Sequence, residues 1–287
     1  MRLRGVAPLL ALGLCTCDPW GSVFFDLANL AGAVACPELT GRESALRGKF
    51  SERPELNVKI AGYVQATRDL SDVAARLDLN IRRACAAIGR DLGVDDEAMQ
   101  PHDGLGPTRA ACEATRARID AIVQATADLR FTAELEAPTC ELDAGADAKC
   151  DARCKVRGRS DAGVDADCRA SCEQSASLAA RCSKPKLRLR ASSEAAEVAR
   201  LVASLEKHLP ALIVAQVRLL TRAAASVGAL AEIGADLKGR LDDAERHGAA
   251  CISASGVALA TVGLGVTSSI QASTRVSGSV GLGVGGD

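Results

Sequence analysis

The sequence predicts a mainly α-helical fold: an elongated, coiled-coil-like antiparallel bundle with a two-stranded β-ribbon that carries a disulfide-stapled helical hairpin. Of 287 residues, 48% are hydrophobic but only 2% are aromatic, so the core must consist of Ala, Leu, Val and Ile. Ala and Leu are the strongest helix formers. One long segment has a heptad pattern, and two short alternating segments flank a cysteine-rich stretch. A chain of this length can bury a substantial core in one or two domains.

The charge balance excludes one class of partner. The 35 basic and 36 acidic residues nearly cancel and form no long run of one sign. A nucleic-acid-binding protein normally displays a basic patch, and a base-stacking surface needs aromatic side chains. We therefore expect no nucleic-acid partner.

The N-terminus has the layout of a bacterial export signal over residues 1–16. Two arginines precede an apolar run that is too short to span a bilayer, and cysteines follow. Because the small Thr16 precedes Cys17, we expect cleavage before Cys17 and its lipidation, with cleavage before Cys15 or Cys36 as alternatives. Loss of Cys15 and acylation of Cys17 leave an even number of the 12 cysteines, which suits an oxidising compartment.

Residues 17–53 form a tether and lead-in with broken periodicity, and residues 54–128 form the first helical pair. Apolar residues after Pro54 recur at alternating steps of four and three, which predicts a heptad seam on one long helix that Gly93 ends. After a polar loop, Thr108 is the expected N-cap of an antiparallel second helix. The seam comprises Leu56, Ile60, Tyr63, Thr67, Leu70, Ala74, Leu77, Ile81, Ala84 and Ile88.

The second helix carries Cys112, Ile119, Ile122 and Val123 on one side. Cys85 lies two turns before the loop and Cys112 one turn after it. In antiparallel neighbours these two positions have similar heights, so we expect a Cys85–Cys112 disulfide.

Residues 129–192 change from helical periodicity to strict alternation. The segments LRFTAELEAP and PKLRLRAS predict two strands of a ribbon that leaves the bundle and returns to it. The alternating apolar positions are Leu129, Phe131, Ala133, Leu135, Leu187 and Leu189.

The six cysteines between these strands are separated by nine, three, thirteen, three and nine residues. Cysteines four apart lie on one face of a helix, so two helices joined by a turn through GRSDAGV would present their cysteines to each other. The disulfides would replace an apolar core that this insert lacks. A zinc ion held by four thiolates is the alternative, although Cys-x2-Cys is the commoner zinc spacing. Antiparallel nesting gives the pairs Cys140–Cys182, Cys150–Cys172 and Cys154–Cys168.

Residues 193–275 are expected to form the second helical pair. Ser192 and Ser193 are the candidate N-caps of the third helix, and Pro210 should kink it. A chain reversal is expected between residues 227 and 248. The apolar face of the third helix comprises Val198, Leu201, Val202, Leu205, Leu209, Leu212, Ile213, Val217 and Leu220.

The final helix carries Cys251, which by elimination pairs with Cys36, and residues 276–287 are expected to form a flexible tail. Residues 247–274 contain no charged Asp, Glu, Lys or Arg and are numerous enough to span a bilayer. Small residues at helical spacing suit burial among Ala-rich neighbours, which is our expectation, but they also suit close-packed membrane helices.

The sequence contains no Gly-x-Ser-x-Gly, His-Glu-x-x-His or Walker motif. A Gly-x-Gly-x-x-Gly match near the C-terminus follows no predicted strand. We expect structural or solvated roles for the histidines, no catalytic residue, no metal and no cofactor. The histidines are His102, His208 and His247.

Two features of the sequence, its paired Cys-x3-Cys motifs and its overall order of motifs, resemble those of known groups of proteins. The paired Cys-x3-Cys motifs of residues 150–172 resemble the twin Cys-x3-Cys hairpins of small chaperones of the mitochondrial intermembrane space and of plant antimicrobial hairpins, which implies disulfide pairing and no function. The whole-chain order is similar to that of uncharacterised Ala-rich, Cys-containing lipoproteins of predatory soil bacteria. This order consists of Cys17, ACPEL at residues 35–39, ACAAIGRDLG and ACEA around Cys85 and Cys112, and then the Cys-rich insert. It implies a topology and no chemistry.

These observations predict a non-enzymatic, lipid-anchored protein of the bacterial cell envelope, at the outer membrane or the periplasmic face. It would act as a scaffold, spacer or adhesion module, and its partners would be the membrane and a second protein or a second copy of itself. The alternative is an α-helical pore-forming protein that uses residues 247–274.

Overall fold

The computed structural model is mainly helical, with a two-stranded antiparallel ribbon and disulfide bonds. Five helices lie in the described part of the chain: α1 (Pro54–Asp91), α2 (Pro107–Ala125), α3 (Ala196–Arg218), α4 (Ala224–Lys238) and α5 (Arg246–Gly278). The strands are β1 (Phe131–Glu136), β2 (Cys140–Glu141), β3 (Arg181–Cys182) and β4 (Lys186–Ala191). The structure describes residues 35–41, 43–102, 104–136, 140–141, 150, 154, 169, 181–183, 185–218 and 224–281.

The long helix α1 is the element that all four other helices contact. Every residue of its predicted apolar seam is buried, and Pro54 occupies its first turn, where no backbone N–H is needed. Gly93 ends it as expected: its φ is +80°, and the Gly93 and Val94 amides donate to the carbonyls of Arg90 and Gly89. This is the Schellman arrangement that satisfies the last carbonyls of a helix.

The start of α2 corrects one prediction. Thr108 is not the N-cap, because Gly106 occupies that position and Pro107 opens the helix. Proline suits the first helical position, since its fixed φ is already helical. The Thr108 hydroxyl is therefore free to act between helices, and it donates to Oδ2 of Asp78 on α1 at 2.9 Å.

The ribbon has the predicted pair of strands, β1 antiparallel to β4, with Ala133 opposite Leu189 and Leu135 opposite Leu187. The side chains of Leu187 and Leu189 are buried, whereas Leu135 is 46% exposed. The apolar face of β4 therefore packs on the helical core, and β4 contacts α3.

Ser192 and Ser193 also differ from the prediction, because α3 begins later, at Ala196. The Ser192 hydroxyl accepts from the Arg130 amide at 3.0 Å and donates to the Asp128 carbonyl at 3.2 Å. It closes the base of the ribbon and does not cap a helix.

The described part of residues 193–275 has three helical elements, where the sequence predicts a pair of helices. Residues 219–223 separate the described parts of α3 and α4; they lie outside the described residues and include Leu220. Pro210 lies inside α3, as the sequence indicates. The expected reversal is the segment between Lys238 and Arg246, which contains a short 3-10 turn. Glycines interrupt the apolar pattern of α4, so the sequence does not predict it as a separate helix.

The predicted flexible tail of residues 276–287 is wrong at its start. The helix α5 continues to Gly278, and the side chains of Val276 and Val280 are buried. Val276 thus belongs to the buried face of α5, and Val280, just after the end of the helix, is buried as well.

One close contact explains why α4 contains a buried glycine. Tyr63, the single tyrosine of the sequence, is 1% exposed on α1. A Cβ added at Gly234 would overlap the Tyr63 hydroxyl and would lie 2.9 Å from Cζ. Burial raises the pKa of Tyr63 to about 12, so the phenol stays neutral in the core.

The substitution Gly234→Ala should destabilise the protein by roughly 1–3 kcal/mol, because the buried ring has no room to move away. The matched control is Gly228→Ala in the same helix, where an added Cβ meets nothing within 4 Å. That control should be neutral or stabilising by up to about 1 kcal/mol, since Ala favours helix over Gly. Urea unfolding followed by circular dichroism measures both changes, and equal midpoints for the two variants would contradict this packing.

Candidate functional site

A disulfide between Cys36 and Cys251 joins the lead-in to the second turn of α5, across a sequence separation of 215. Both cysteines are fully buried, with Cα atoms 4.8 Å apart. Cys36 precedes a 3-10 turn, Pro37–Leu39, and Cys251 is held by helical hydrogen bonding. The sequence predicts this pair by elimination.

Two titratable side chains lie against this disulfide. Glu38 follows Cys36 by two residues, and its Oε1 lies 2.8 Å from Nε2 of His247 on α5. The other oxygen of Glu38, Oε2, is 3.5 Å from Sγ of Cys36 and 3.6 Å from Sγ of Cys251. Since a disulfide sulfur carries no proton, these sulfur distances are contacts and not S–H hydrogen bonds. We call Cys36, Glu38, His247 and Cys251 the junction.

His247, for which the sequence predicts a structural or solvated role, lies beside the disulfide. Its Nε2 lies 3.9 Å from Sγ of Cys251, four residues further along α5. The signal that was missed is this spacing of four, which places both side chains on one helical face. Glu38 could not be added from the sequence, because it lies 209 residues away.

Phe50 fixes the imidazole of His247 from one side. The two rings are stacked, with centroids 5.5 Å apart and an interplanar angle of 9°. The Phe50 carbonyl accepts from the Glu245 amide, and the Phe50 amide donates to Oδ1 of Asn57 on α1 at 2.6 Å. Phe50 therefore connects the lead-in, α1 and the start of α5.

The side chains of His247 and Glu38 remain 36% and 23% exposed, so solvent reaches the polar half of the junction while the sulfurs are buried. In the disulfide state the sulfurs cannot act as thiolate ligands or nucleophiles. The chemistry that this arrangement offers is thus reduction of the disulfide, followed by coordination or exchange at the two thiols.

A second polar cluster contains a serine, a histidine and an aspartate. Oδ2 of Asp91, at the end of α1, accepts from the Ser204 hydroxyl at 3.0 Å and lies 3.1 Å from Nε2 of His208. In a nucleophilic triad the imidazole lies between the serine and the carboxylate, whereas here the serine contacts the carboxylate itself. The arrangement fastens α3 to the end of α1 and does not activate the serine.

The Cys85–Cys112 disulfide links α1 to α2. The sequence predicts this pair because the two cysteines have similar positions along antiparallel neighbouring helices. Its Cα–Cα distance is 4.9 Å, and both cysteines are buried. The buried Thr115 hydroxyl donates to the Cys85 carbonyl at 2.8 Å, which adds a hydrogen bond beside the covalent link.

The structure describes the two-residue ladder at the base of the predicted insert and three single residues within it. Cys140 lies opposite Cys182 in the two-residue ladder of β2 and β3, so the cross-strand positions agree with the proposed pair. Cys150 and Cys154 are disulfide-bonded and buried. Their proposed partners, Cys172 and Cys168, lie outside the described residues, as do Cys17 and the export signal.

The helix α5 is long and apolar enough to cross a bilayer, and it is the one such helix in the described ranges. One face is buried in the protein, with Leu259, Val262 and Val266 at most 6% exposed. On the opposite face, Val257 and Leu264 are 55% and 76% exposed.

The fold and its disulfides define a class, a mainly helical and disulfide-bonded protein with a small antiparallel sheet. No protein-family model, no curated protein and no solved structure matches the chain.

The close approach of the lead-in to α5 gives a test of the junction. A Cβ added at Gly248 would overlap the Phe50 carbonyl, so Gly248→Ala should push the lead-in away from α5. Trypsin cleavage after Arg47 and Lys49, which are exposed, should become roughly 10-fold faster. At Gly256, on the same helix, the nearest atoms lie 3.7 Å from an added Cβ, and Gly256→Ala should leave cleavage unchanged. Similar cleavage rates for both variants would show that Gly248 is not needed for docking.

Proposed function

We propose that this protein is a non-enzymatic component of the bacterial cell envelope, exported and anchored through a lipid on Cys17. The single observation that carries the proposal is the oxidised state of the cysteines. Thiols stay reduced in the cytosol, whereas disulfides persist in exported proteins. The disulfide-bonded cysteines in the described part of the chain are Cys36, Cys85, Cys112, Cys150, Cys154 and Cys251.

We further propose that the helices form an elongated antiparallel bundle with coiled-coil-like packing along α1. At 1.5 Å per residue, the 38 residues of α1 extend roughly 57 Å. The contacts of α1 with the other four described helices support this arrangement. Such a body would hold a binding element at a distance from the membrane that carries the anchor.

The element displayed would be the Cys-rich insert between β2 and β3. The ribbon that leads to it is supported by ladder pairing and by an exposed ion pair between Lys186 and Glu136 at 3.1 Å. A protein partner, or a second copy of the chain, would bind the insert. The use of Asp91, Ser204 and His208 to fasten two helices supports a structural role over a catalytic one.

Lipid attachment is tested by labelling. The full-length protein, produced in a Gram-negative host with radioactive palmitate, should incorporate label and fractionate with membranes. The Cys17→Ala variant should lose the label, because the acylated thiol is absent. The neighbouring Cys15→Ala variant should keep it and serves as the control. Label retained in both variants would show that neither cysteine carries the lipid. Label lost only in Cys15→Ala would show that the lipid is attached to Cys15.

A second candidate function is membrane perturbation by α5, and the exposed, uncharged face with Val257 and Leu264 favours it. Against it stands the Cys36–Cys251 disulfide, which holds α5 to the lead-in and would keep its buried face covered.

Release of a trapped dye from anionic lipid vesicles separates the two candidates. We expect no leakage from the oxidised protein at micromolar concentration, because α5 stays packed. Leakage that is abolished by Leu264→Glu would overturn this expectation, since a charge on the lipid-facing side opposes insertion. Leu264 is 76% exposed, so the same substitution should not disturb folding, which circular dichroism would verify.

A further inference from the structure

In the junction, Cys36, Glu38 and Cys251 each offer one ligand atom within 4.8 Å of the other two, and the imidazole of His247 contacts Glu38 and Cys251. We propose that reduction of the Cys36–Cys251 disulfide converts the junction into a tetrahedral zinc site, with Cys36, Cys251, His247 and Glu38 as ligands. The proposal concerns the reduced protein and is independent of the proposed membrane anchor.

Three separations between ligand atoms already lie close to those of a tetrahedral zinc site. Zinc binds sulfur at about 2.3 Å and nitrogen or oxygen at about 2.0–2.2 Å, so neighbouring ligand atoms of a tetrahedral site lie roughly 3.3–3.8 Å apart. Oε2 of Glu38 lies 3.5 Å and 3.6 Å from the sulfurs of Cys36 and Cys251. Nε2 of His247 lies 3.9 Å from Sγ of Cys251.

When the ion binds, the imidazole of His247 must approach the other three ligands, and two further separations must change. The sulfurs are bonded to each other and must move to roughly 3.8 Å apart, which only reduction permits. Nε2 of His247 and Oε1 of Glu38 are 2.8 Å apart. Because Oε2 is the oxygen that contacts the sulfurs, this contact with Oε1 must open as Nε2 turns toward the ion. Cys36 and Glu38 lie together in the lead-in, so a displacement of that segment relative to α5 changes both separations.

The donor set selects the kind of ion. Two thiolates and one imidazole are ligands of zinc and similar transition metals, whereas calcium and magnesium take oxygen ligands. The stacked ring of Phe50 fixes the plane of the His247 imidazole. Ligand orientation of this kind normally strengthens metal binding.

An external dithiol can serve as the reductant of the Cys36–Cys251 disulfide. The dithiol loses two electrons and two protons and becomes a cyclic disulfide, while the Cys36–Cys251 bond breaks and yields two thiols. Zinc then binds both sulfurs as thiolates, and two protons are released to solvent. In either state the lead-in stays attached to α5, by a covalent bond or through the ion.

The test uses the full chain, reduced with a phosphine under anaerobic conditions and titrated with Co²⁺ as a spectroscopic probe. Tetrahedral cobalt with thiolate ligands gives intense ligand-field bands in the red and sulfur-to-cobalt charge transfer in the near ultraviolet. We expect Cys36→Ser/Cys251→Ser to lose one equivalent of this signal. Thiols of the insert contribute equally to both proteins, so the difference reports the junction.

The variants His247→Gln and Glu38→Gln keep every cysteine, and circular dichroism of their oxidised forms verifies folding. Each should weaken Zn²⁺ binding at the junction at least ~10-fold in competition with a chelating dye. The control is His102→Gln, whose native ring lies exposed against the Gln100 carbonyl, and it should bind like the native chain. Native affinity in His247→Gln, or an unchanged cobalt signal in the double cysteine variant, would overturn the site.

Discussion

Close approach between helices is the constraint on which the rest of this structure depends. With only 2% aromatic residues, the core gains contact area by bringing backbones together and not by filling wide gaps with rings. Three glycines mark where this approach is closest. A Cβ at Gly89 would lie 2.7 Å from Oγ1 of Thr115, and one at Gly234 or Gly248 would overlap Tyr63 or the Phe50 carbonyl. The buried rings of Tyr63 and Phe50 fit against Gly234 and Gly48, two positions that have no side chain.

Interfaces built from small aliphatic residues specify helix register weakly, because many shifted arrangements bury similar area. Polar groups and disulfides supply the missing specification here. Asp78 on α1 accepts hydrogen bonds from Thr108 on α2 and from Ser269 on α5. Asp91 holds α3 through Ser204 and His208, and the Cys85–Cys112 bond fixes α1 against α2. Each link is directional, so each sets the position of one helix along another.

The parts that could be predicted from the sequence are those in which one signal dominates. The seam of α1 persists over ten apolar positions, and its end has the glycine that a helix terminus requires. The start of α2 was misplaced because Thr108 and Pro107 give competing signals, and the fixed φ of proline prevails. The helix α4 was missed because Gly234 weakens the helical pattern where Tyr63 needs space. The contact of Glu38 with His247 joins residues 209 apart and has no local signature.

The position of the junction bears on how an anchored protein would carry load. If Cys17 holds the lipid, any pull from the membrane enters the folded part through the lead-in. Without a link at Cys36, that pull would act on the turns of residues 37–50, which are held by short contacts such as Arg68 Nη1 to the Glu43 carbonyl. With the link, the load passes directly into α5, whose 33 residues pack against α1. A zinc ion between the same residues would preserve this path in a reducing environment, which gives the imidazole and the carboxylate a role that a disulfide alone does not require.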